Sequence, residues 1–577
     1  MRQLLVTIIC AAALYSQPAG NAPFGGLTAD ASSRKPAGAC KELRSLTSLE
    51  LSVIGATVIP ASASAPEHCR VSLMAQPELN IEVNLPSAWN GRLYMFGNGG
   101  WAGEAFDTAG RAGSRAKGLK AGFVTAATDT GHSAALEAGA SFALNRQKLL
   151  DFGFRSLHVT AETAKMLART YYGAEPTKSY YEGCSQGGRQ GLTLAQRFPD
   201  DFDGIVVGAP ALYQTGTHLA RAYWMQGLNA NPFPASKLGL LAAKVYEQCD
   251  AKDGLQDGLI DDPRRCDFKP ARDLPRCVAG SEEADCFTAN QIAALERIYG
   301  DVMSNGRRFF PGWPVGAEIA GTNGQSGWLG QAVNAANGTG AWTSYGFNFQ
   351  RYMVPWVKSA SGEMDAARAF SQFDIDKDPP RLEELRQILD ATDPDLSAFR
   401  KHGGKLLMYF GWADPQLNAK MGVEYYEQVV DKMGPSTDGF FRLFMVPGMF
   451  HCGGGVGTSQ FDMATPVLKW VEAGTAPVRI EAGRVVAGKV VRTRPLCAYP
   501  QVARYHGAGS VDGQVSLALS LDMWSVKCGR TCGCCLLIAN DIVRYRAPCT
   551  SIRAARSDLS PSGRRSARSS ERYTLPR

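Results

Sequence analysis

The segment SYYEGCSQGGRQGLTLAQR, Ser179–Arg197, decides the fold. Its first residues, Ser179–Glu182, read as a strand, and Gly188–Arg197 reads as a helix. Between them Gly183-Cys184-Ser185-Gln186-Gly187 fits the pattern G-x-S-x-G. Glycines on both sides of the serine permit the sharp bend that lifts a hydroxyl clear of a sheet. The pentapeptide alone is a weak signal, because its residue types are common. The strand before it and the helix after it supply the meaning; an ordinary strand-to-helix turn is the bland alternative.

Outward from this bend the same alternation recurs. Arg92–Phe96 (RLYMF) is a strand running into the glycine-rich turn Gly97-Asn98-Gly99-Gly100, and Phe123–Thr128 is another strand. A helix is expected from about Phe152 to Tyr172, with Leu157, Thr160, Ala164 and Leu167 at helical spacing. Gly204–Val207 is again a strand. The alternation stops after Pro210 and resumes with strand Lys405–Phe410, helix Leu417–Met433, strand Phe440–Val446 and a closing helix Phe461–Glu472. Strands separated by helices imply a parallel, doubly wound α/β sheet, here of the α/β-hydrolase kind. The expected organisation is a catalytic domain from residues 23–211 and 401–509 with a lid domain, 212–400, inserted where it would cover the site.

A serine hydroxyl is a poor nucleophile until a base takes its proton. In this fold an acid and then a histidine follow the serine, each at the end of a later strand. The chain has only seven histidines. His451 lies in the loop directly after strand Phe440–Val446 and is the expected base. His402 precedes a strand and is expected to be exposed; His132 precedes the serine and is expected to be structural. Asp414, in the loop after strand Lys405–Phe410, is placed to orient the imidazole. An aspartate before proline is often only a turn former, so the order Ser–Asp–His carries the argument. Two backbone donors must meet the tetrahedral oxyanion. Gln186 N–H is the first, and Gly100 is the choice for the second, with Gly99 as an alternative.

Net charge is +7, which invites a nucleic-acid reading, but Arg504–Arg577 alone carries 12 basic and 5 acidic residues. The rest of the chain is near neutral, and a basic tail without interleaved aromatics is no nucleic-acid platform. That tail, 510–577, has no periodicity and is expected to be disordered; the cysteines clustered at Cys528–Cys535 lack a second group at metal-ligand spacing. Met1-Arg2, an apolar stretch Leu4–Leu14 and small residues near Ala22 read as an export signal over residues 1–22, which implies a secreted or periplasmic protein. No internal apolar run approaches the roughly 20 residues of a membrane span. In an exported protein most of the 15 cysteines should be paired. Cys184 precedes the serine and Cys452 follows the histidine, so these two are either one bridge across the site or two core thiols.

Together these residues resemble the tannase and feruloyl esterase family, with its Cys-Ser…Asp…His-Cys arrangement, here Cys184-Ser185, Asp414 and His451-Cys452. The resemblance runs from about Cys40 to Gly507 and includes Gly97–Gly100, Thr128–His132, Phe202–Gly204 and Arg494–Cys497. It implies hydrolysis of feruloyl- or galloyl-type aromatic esters through an acyl-enzyme. It also implies a structural calcium ion in the lid, held by the carboxylates of Asp250, Asp253 and Asp257 and the carbonyls of Leu255 and Leu259. Hard oxygens at such spacing suit Ca2+. The implied disulfides are Cys40–Cys69, Cys184–Cys452, Cys249–Cys266 and Cys277–Cys286. One departure stands out: the family partner of Cys497 lies some twenty residues on, whereas the next cysteine here is Cys528.

Trp328 and Phe347 align with substrate-facing positions of the family. In the branch that cleaves mono(2-hydroxyethyl) terephthalate, an arginine just before this Gly-Phe pairs a free carboxylate; here that place is Thr343, which argues against that substrate. The expected partner is a small aromatic ester or a plant cell-wall or polyphenol ester. Tannase activity and phthalate or terephthalate monoester hydrolysis are the enzymatic alternatives. A calcium-dependent surface binding protein on a dead hydrolase fold is the non-enzymatic one, and the intact Ser, Asp and His weigh against it.

Overall fold

The computed structural model describes Phe24, Leu27 and residues 33–321, 325–333, 340–354, 371–505, 510–512 and 524–525. The expected export signal, residues 1–22, and the cysteines of the basic tail lie outside the described residues.

Among these residues nine strands form one sheet: β1 (Leu51–Ile59), β2 (His68–Ala75), β3 (Leu79–Pro86), β4 (Arg92–Phe96), β5 (Val124–Thr128), β6 (Lys178–Cys184), β7 (Gly204–Gly208), β8 (Lys405–Gly411) and β9 (Phe441–Val446). Their order is β1-β2-β3-β5-β4-β6-β7-β8-β9. From β5 to β9 every neighbouring pair is parallel, whereas β1, β2, β3 and β5 pair antiparallel. The parallel part matches the expected doubly wound sheet.

Successive strand residues point to opposite faces, and the core divides accordingly. Tyr181, Ile205, Val207, Leu406 and Met408 face one side, with α2 (Ser156–Tyr172) and α3 (Gln186–Arg197) supplying Leu157, Ala164, Leu167 and Leu192. Tyr180, Val206 and Leu407 face the other, against Val467 and Trp470 of α9 (Ala464–Ala473) and Ile480 and Leu496 of a hairpin, β10 (Arg479–Val486) and β11 (Lys489–Cys497). Both faces being covered explains why a strand such as β7, GIVVG, is buried at every position.

Helix α3 starts two residues before the expected Gly188, and three helices start later than the periodic reading, each for a local reason. Phe152 lies in a π-helical turn, Asp151–Arg155, ahead of α2; the carbonyls of Phe152 and Gly153 accept from Arg189. Helix α8 (Lys420–Met433) begins at Lys420 rather than Leu417, because Asp414 holds the Gln416 and Leu417 N–H groups in a turn ahead of it and Asn418 accepts from the Lys420 N–H at its start. Helix α9 begins at Ala464 rather than Phe461, where Asp462 accepts from Ala464 and Thr465.

Between β7 and β8 the inserted region carries α4 (Gln214–Ala230), α5 (Lys237–Cys249), α6 (Ala289–Tyr299) and α7 (Ala341–Met353). Its aromatic residues make a core. Trp224, Trp313, Trp328 and Trp342 are fully buried, with Trp313 and Trp342 4.2 Å apart and Trp328 5.4 Å from Tyr299. The bridges Cys40–Cys69, Cys184–Cys452, Cys249–Cys266 and Cys277–Cys286 are all formed. No described helix is long and apolar enough to cross a membrane.

Candidate active site

Ser185 sits between β6 and α3 at φ 63°, ψ −120°, a region that L-residues avoid. Such strain, of order 1–3 kcal/mol, persists only where the surroundings over-determine it. Here the Ser185 N–H donates to Gly208 O (2.9 Å), and its carbonyl accepts from Arg189 (3.0 Å) and Ala211 (3.1 Å). Gly183 is required by close approach: a Cβ there would meet Gly187 O at 2.5 Å. A Cβ on Gly187 would sit 3.0 Å from Asn98 O, so the tighter constraint of the G-x-S-x-G pattern is at Gly183.

The turn after β4 is strapped to α3. Gln190 Oε1 accepts from Asn98 N–H (3.0 Å), and Gln190 Nε2 donates to Asn98 Oδ1 (3.1 Å). Gly97 meets Tyr181 so closely that a Cβ would lie 2.3 Å from its hydroxyl oxygen. The structure separates the two candidate donors of this turn. Gly99 N–H is taken by Glu104 Oε1 at 2.6 Å, while Gly100 faces the cleft with Gln186 and Ser185.

Asp414 and His451 follow β8 and β9, at the same carboxyl edge of the sheet as Ser185. His451 Nδ1 lies 2.7 Å from Asp414 Oδ2. Asp414 Oδ1 accepts from the N–H groups of Gln416 (2.7 Å) and Leu417 (2.9 Å), so the fully buried carboxylate is satisfied on both oxygens. Cys184–Cys452 joins the residue before Ser185 to the residue after His451, 268 positions apart. Ser185 and His451 open onto one cleft. Of the two histidines weighed against His451, His402 is exposed near Asp200, and His132 is buried and stacked on Phe142 at 4.0 Å.

The wall of the cleft differs from the sequence expectation. Trp328 is fully buried in the aromatic core of the insertion, and Phe347 is half-buried against that core; neither lines the cleft. Trp101, His218, Arg221 and Tyr345 line it instead. Trp101 stacks on His218 at 5.1 Å and lies 5.9 Å from Tyr345. Burial holds the His218 imidazole well below its ordinary pKa. Residue order contains no signal for these contacts, because they join the turn after β4 to α4 and α7; Trp101, beside Gly100, was the one within reach of motif reasoning.

The acidic loop after α5 gathers its carboxylates. Asp250 Oδ1 accepts from the N–H groups of Asp257 (3.2 Å), Gly258 (3.1 Å) and Leu259 (3.3 Å), and Asp253 Oδ1 from Leu255 (2.8 Å). Asp257 pairs Arg494 at 3.0 Å through Oδ2, leaving a buried Oδ1 without a partner. Asp261, a carboxylate absent from the sequence expectation, is pushed up to about 7 by burial and by the neighbouring Asp253. An orphaned buried oxygen beside crowded carboxylates fits a hard cation. The loop is remote from the triad in sequence but not in space: Leu259 Cδ2 would lie 2.7 Å from a Cβ on Gly448, in the loop that carries His451.

Comparison with known proteins identifies the family. Residues 63–518 match the family model described as tannase and feruloyl esterase. The chain is 36% identical to the mono(2-hydroxyethyl) terephthalate hydrolase of Piscinibacter sakaiensis, over 80% of this chain and 86% of that protein. It is 32% identical to a probable feruloyl esterase of Arthroderma benhamiae, over 74% and 80% of the two chains. The crystal structure of feruloyl esterase B from Aspergillus oryzae superposes with a TM-score of 0.70 at 27% identity, covering 84% of this chain and 99% of that one. This chain belongs to the tannase and feruloyl esterase family of carboxylic ester hydrolases.

Proposed function

We propose that this protein is an exported serine esterase that cleaves aromatic esters of the feruloyl or galloyl type. Ser185 Oγ attacks the ester carbonyl while His451 takes its proton, and Asp414 fixes the imidazole tautomer and stabilises the imidazolium. The N–H groups of Gln186 and Gly100 receive the oxyanion. The alcohol leaves with the proton from His451, and water activated by the same imidazole releases the acid from the acyl-enzyme. The observation that carries this reading is the 2.7 Å His451–Asp414 bond opening onto the cleft that holds the strained Ser185. Trp101 and Tyr345 offer aromatic faces to a planar acyl group. Four disulfides among the described residues and the N-terminal apolar stretch support export.

Replacing Ser185→Ala is expected to lower kcat on methyl ferulate or methyl gallate by about 10⁴-fold or more, with thermal unfolding unchanged. Retained turnover would overturn the reading.

We also propose that Asp250, Asp253 and Asp257, with the carbonyls of Leu255 and Leu259, hold Ca2+. Bound there, the ion supplies positive charge to a crowded acidic loop, and the chain's own Leu259 carries that order to the His451 loop. Chelation is expected to lower the unfolding midpoint by about 5 °C or more. Calcium should restore it, and magnesium should not. A midpoint indifferent to chelator would exclude the ion.

A further inference from the structure

Two arginines are buried beside the cleft with no carboxylate within ion-pair distance among the described residues, Arg189 and Arg221. They differ in how their donors are spent. Arg189, below the Ser185 turn, donates through Nε to Gln186 Oε1 (3.1 Å), through Nη1 to the carbonyls of Gly153 (2.9 Å) and Leu389 (3.0 Å), and through Nη2 to that of Phe152 (2.8 Å). It is a strut, complete within the protein.

Arg221, on α4, is incomplete. Its Nη2 donates to the Gln416 carbonyl. Its Nε is buried without a partner, and Nη1 has no hydrogen-bond partner among the described residues. The guanidinium lies 5.4 Å from the centre of the Tyr345 ring. Arg221 lines the cleft that holds Ser185 and His451, yet only 4% of it is exposed. The acid in this region, Asp414, is already engaged by His451, Gln416 and Leu417. Burial pulls the guanidinium down to about 10, so it remains charged at neutral pH. A desolvated cation with unused donors is costly unless an anion completes it, and a planar fork of N–H groups suits a carboxylate.

We propose that Arg221 is an anion subsite of the cleft, and that the site is built for aromatic esters that carry a free carboxylate. The proposal rests on the esterase reading above. It revises the inference drawn from Thr343: the positive charge missing from α7 is supplied from α4. The carboxylate has two possible sources, the acyl group, as in a monoester of an aromatic diacid, or the alcohol, as in a hydroxycinnamate ester of a hydroxy acid.

Matched ester pairs test it. Monomethyl against dimethyl terephthalate varies charge on the acyl side; feruloylquinate against its methyl ester varies it on the alcohol side. The wild type should favour the charged member of one pair by tenfold or more in kcat/KM, and that pair identifies the source. Arg221→Met should bring that ratio to within about threefold of unity, and Arg221→Lys should restore part of it. No charge preference in either pair, or an equal loss on both members in Arg221→Met, would overturn the proposal and leave Arg221 a support of the Asp414 loop. Calorimetric binding to the wild type of terephthalate against terephthalamide, and of quinate against its methyl ester, decides the matter without turnover and without a variant. Tenfold tighter binding of the free acid in either pair supports the subsite, and equal binding in both pairs overturns it. Absence of hydrolysis on all four esters would instead sink the aromatic-ester reading, with the calorimetry still deciding Arg221.

Discussion

Ser185 stands on a turn whose direct backbone supports lie between Gly183 and Ala211: the N–H to Gly208, the carbonyl shared by Arg189 and Ala211, and the contact of Gly183 with Gly187. His451 stands on a loop held from across the chain. Asp414 grips its imidazole, Cys184 is bonded to its neighbour Cys452, Gln325 accepts from Gly455 at 2.7 Å, and Leu259 presses on Gly448. The proposed nucleophile is thus positioned by local backbone geometry and the proposed base by tertiary contacts. Perturbing one side should leave the other recognisable.

The sharpest break is on the base side. Asp414→Asn keeps the shape of the loop but reverses the hydrogen bond that selects the imidazole tautomer. A fall in kcat of about 10⁴-fold is expected, as for the equivalent change in other triads, with KM nearly unchanged. A loss below tenfold would show that the loop, rather than its carboxylate, positions His451.

Removing the bridge with Cys184→Ala and Cys452→Ala tests how far the base depends on the nucleophile's strand. Loop-closure entropy over this separation is on the order of 5 kcal/mol, though measured gains are often smaller. Misplacing a catalytic group by about 1 Å costs about 100-fold. Activity measured well below the unfolding midpoint should therefore fall by about 10- to 100-fold. Unchanged activity with a lowered midpoint would make the bridge a matter of stability alone.

The smallest effect is expected from Gly183→Ala, on the nucleophile side. The added methyl meets backbone, not a flexible side chain, so a destabilisation of about 1–3 kcal/mol is expected in denaturant unfolding. A neutral result would mean that the turn relaxes freely and that its strain is not locally enforced.

The same division explains what was legible in the sequence. Strands β4 to β9 were readable, because parallel strands buried on both faces show as short apolar runs between helices. The antiparallel strands β1–β3 were not. Their interior includes Glu82, which Arg115 reaches from the helix Ala109–Lys120 at 2.8 Å, and Asn84, which accepts from Arg70 of the paired strand β2 at 3.3 Å. Of the site, the serine turn and the proposed acid and base were placed from motif and order, and of the two candidate glycines it is Gly99 whose N–H Glu104 occupies. The aromatic wall was misassigned: Trp328 has the composition of a binding residue and the surroundings of a core one.

By itself, then, the order of residues determined the doubly wound sheet, the sharp turn at Ser185 and the sequence of acid and base along the chain. These depend on backbone geometry and on patterns that repeat every two or three to four residues. The tertiary structure alone decided which side chains meet in the cleft. A contact between α4, α7 and the turn after β4 depends on how distant segments pack, and it leaves no period in the sequence. That is why Arg221, buried and short of partners beside the triad, became visible only in the folded chain.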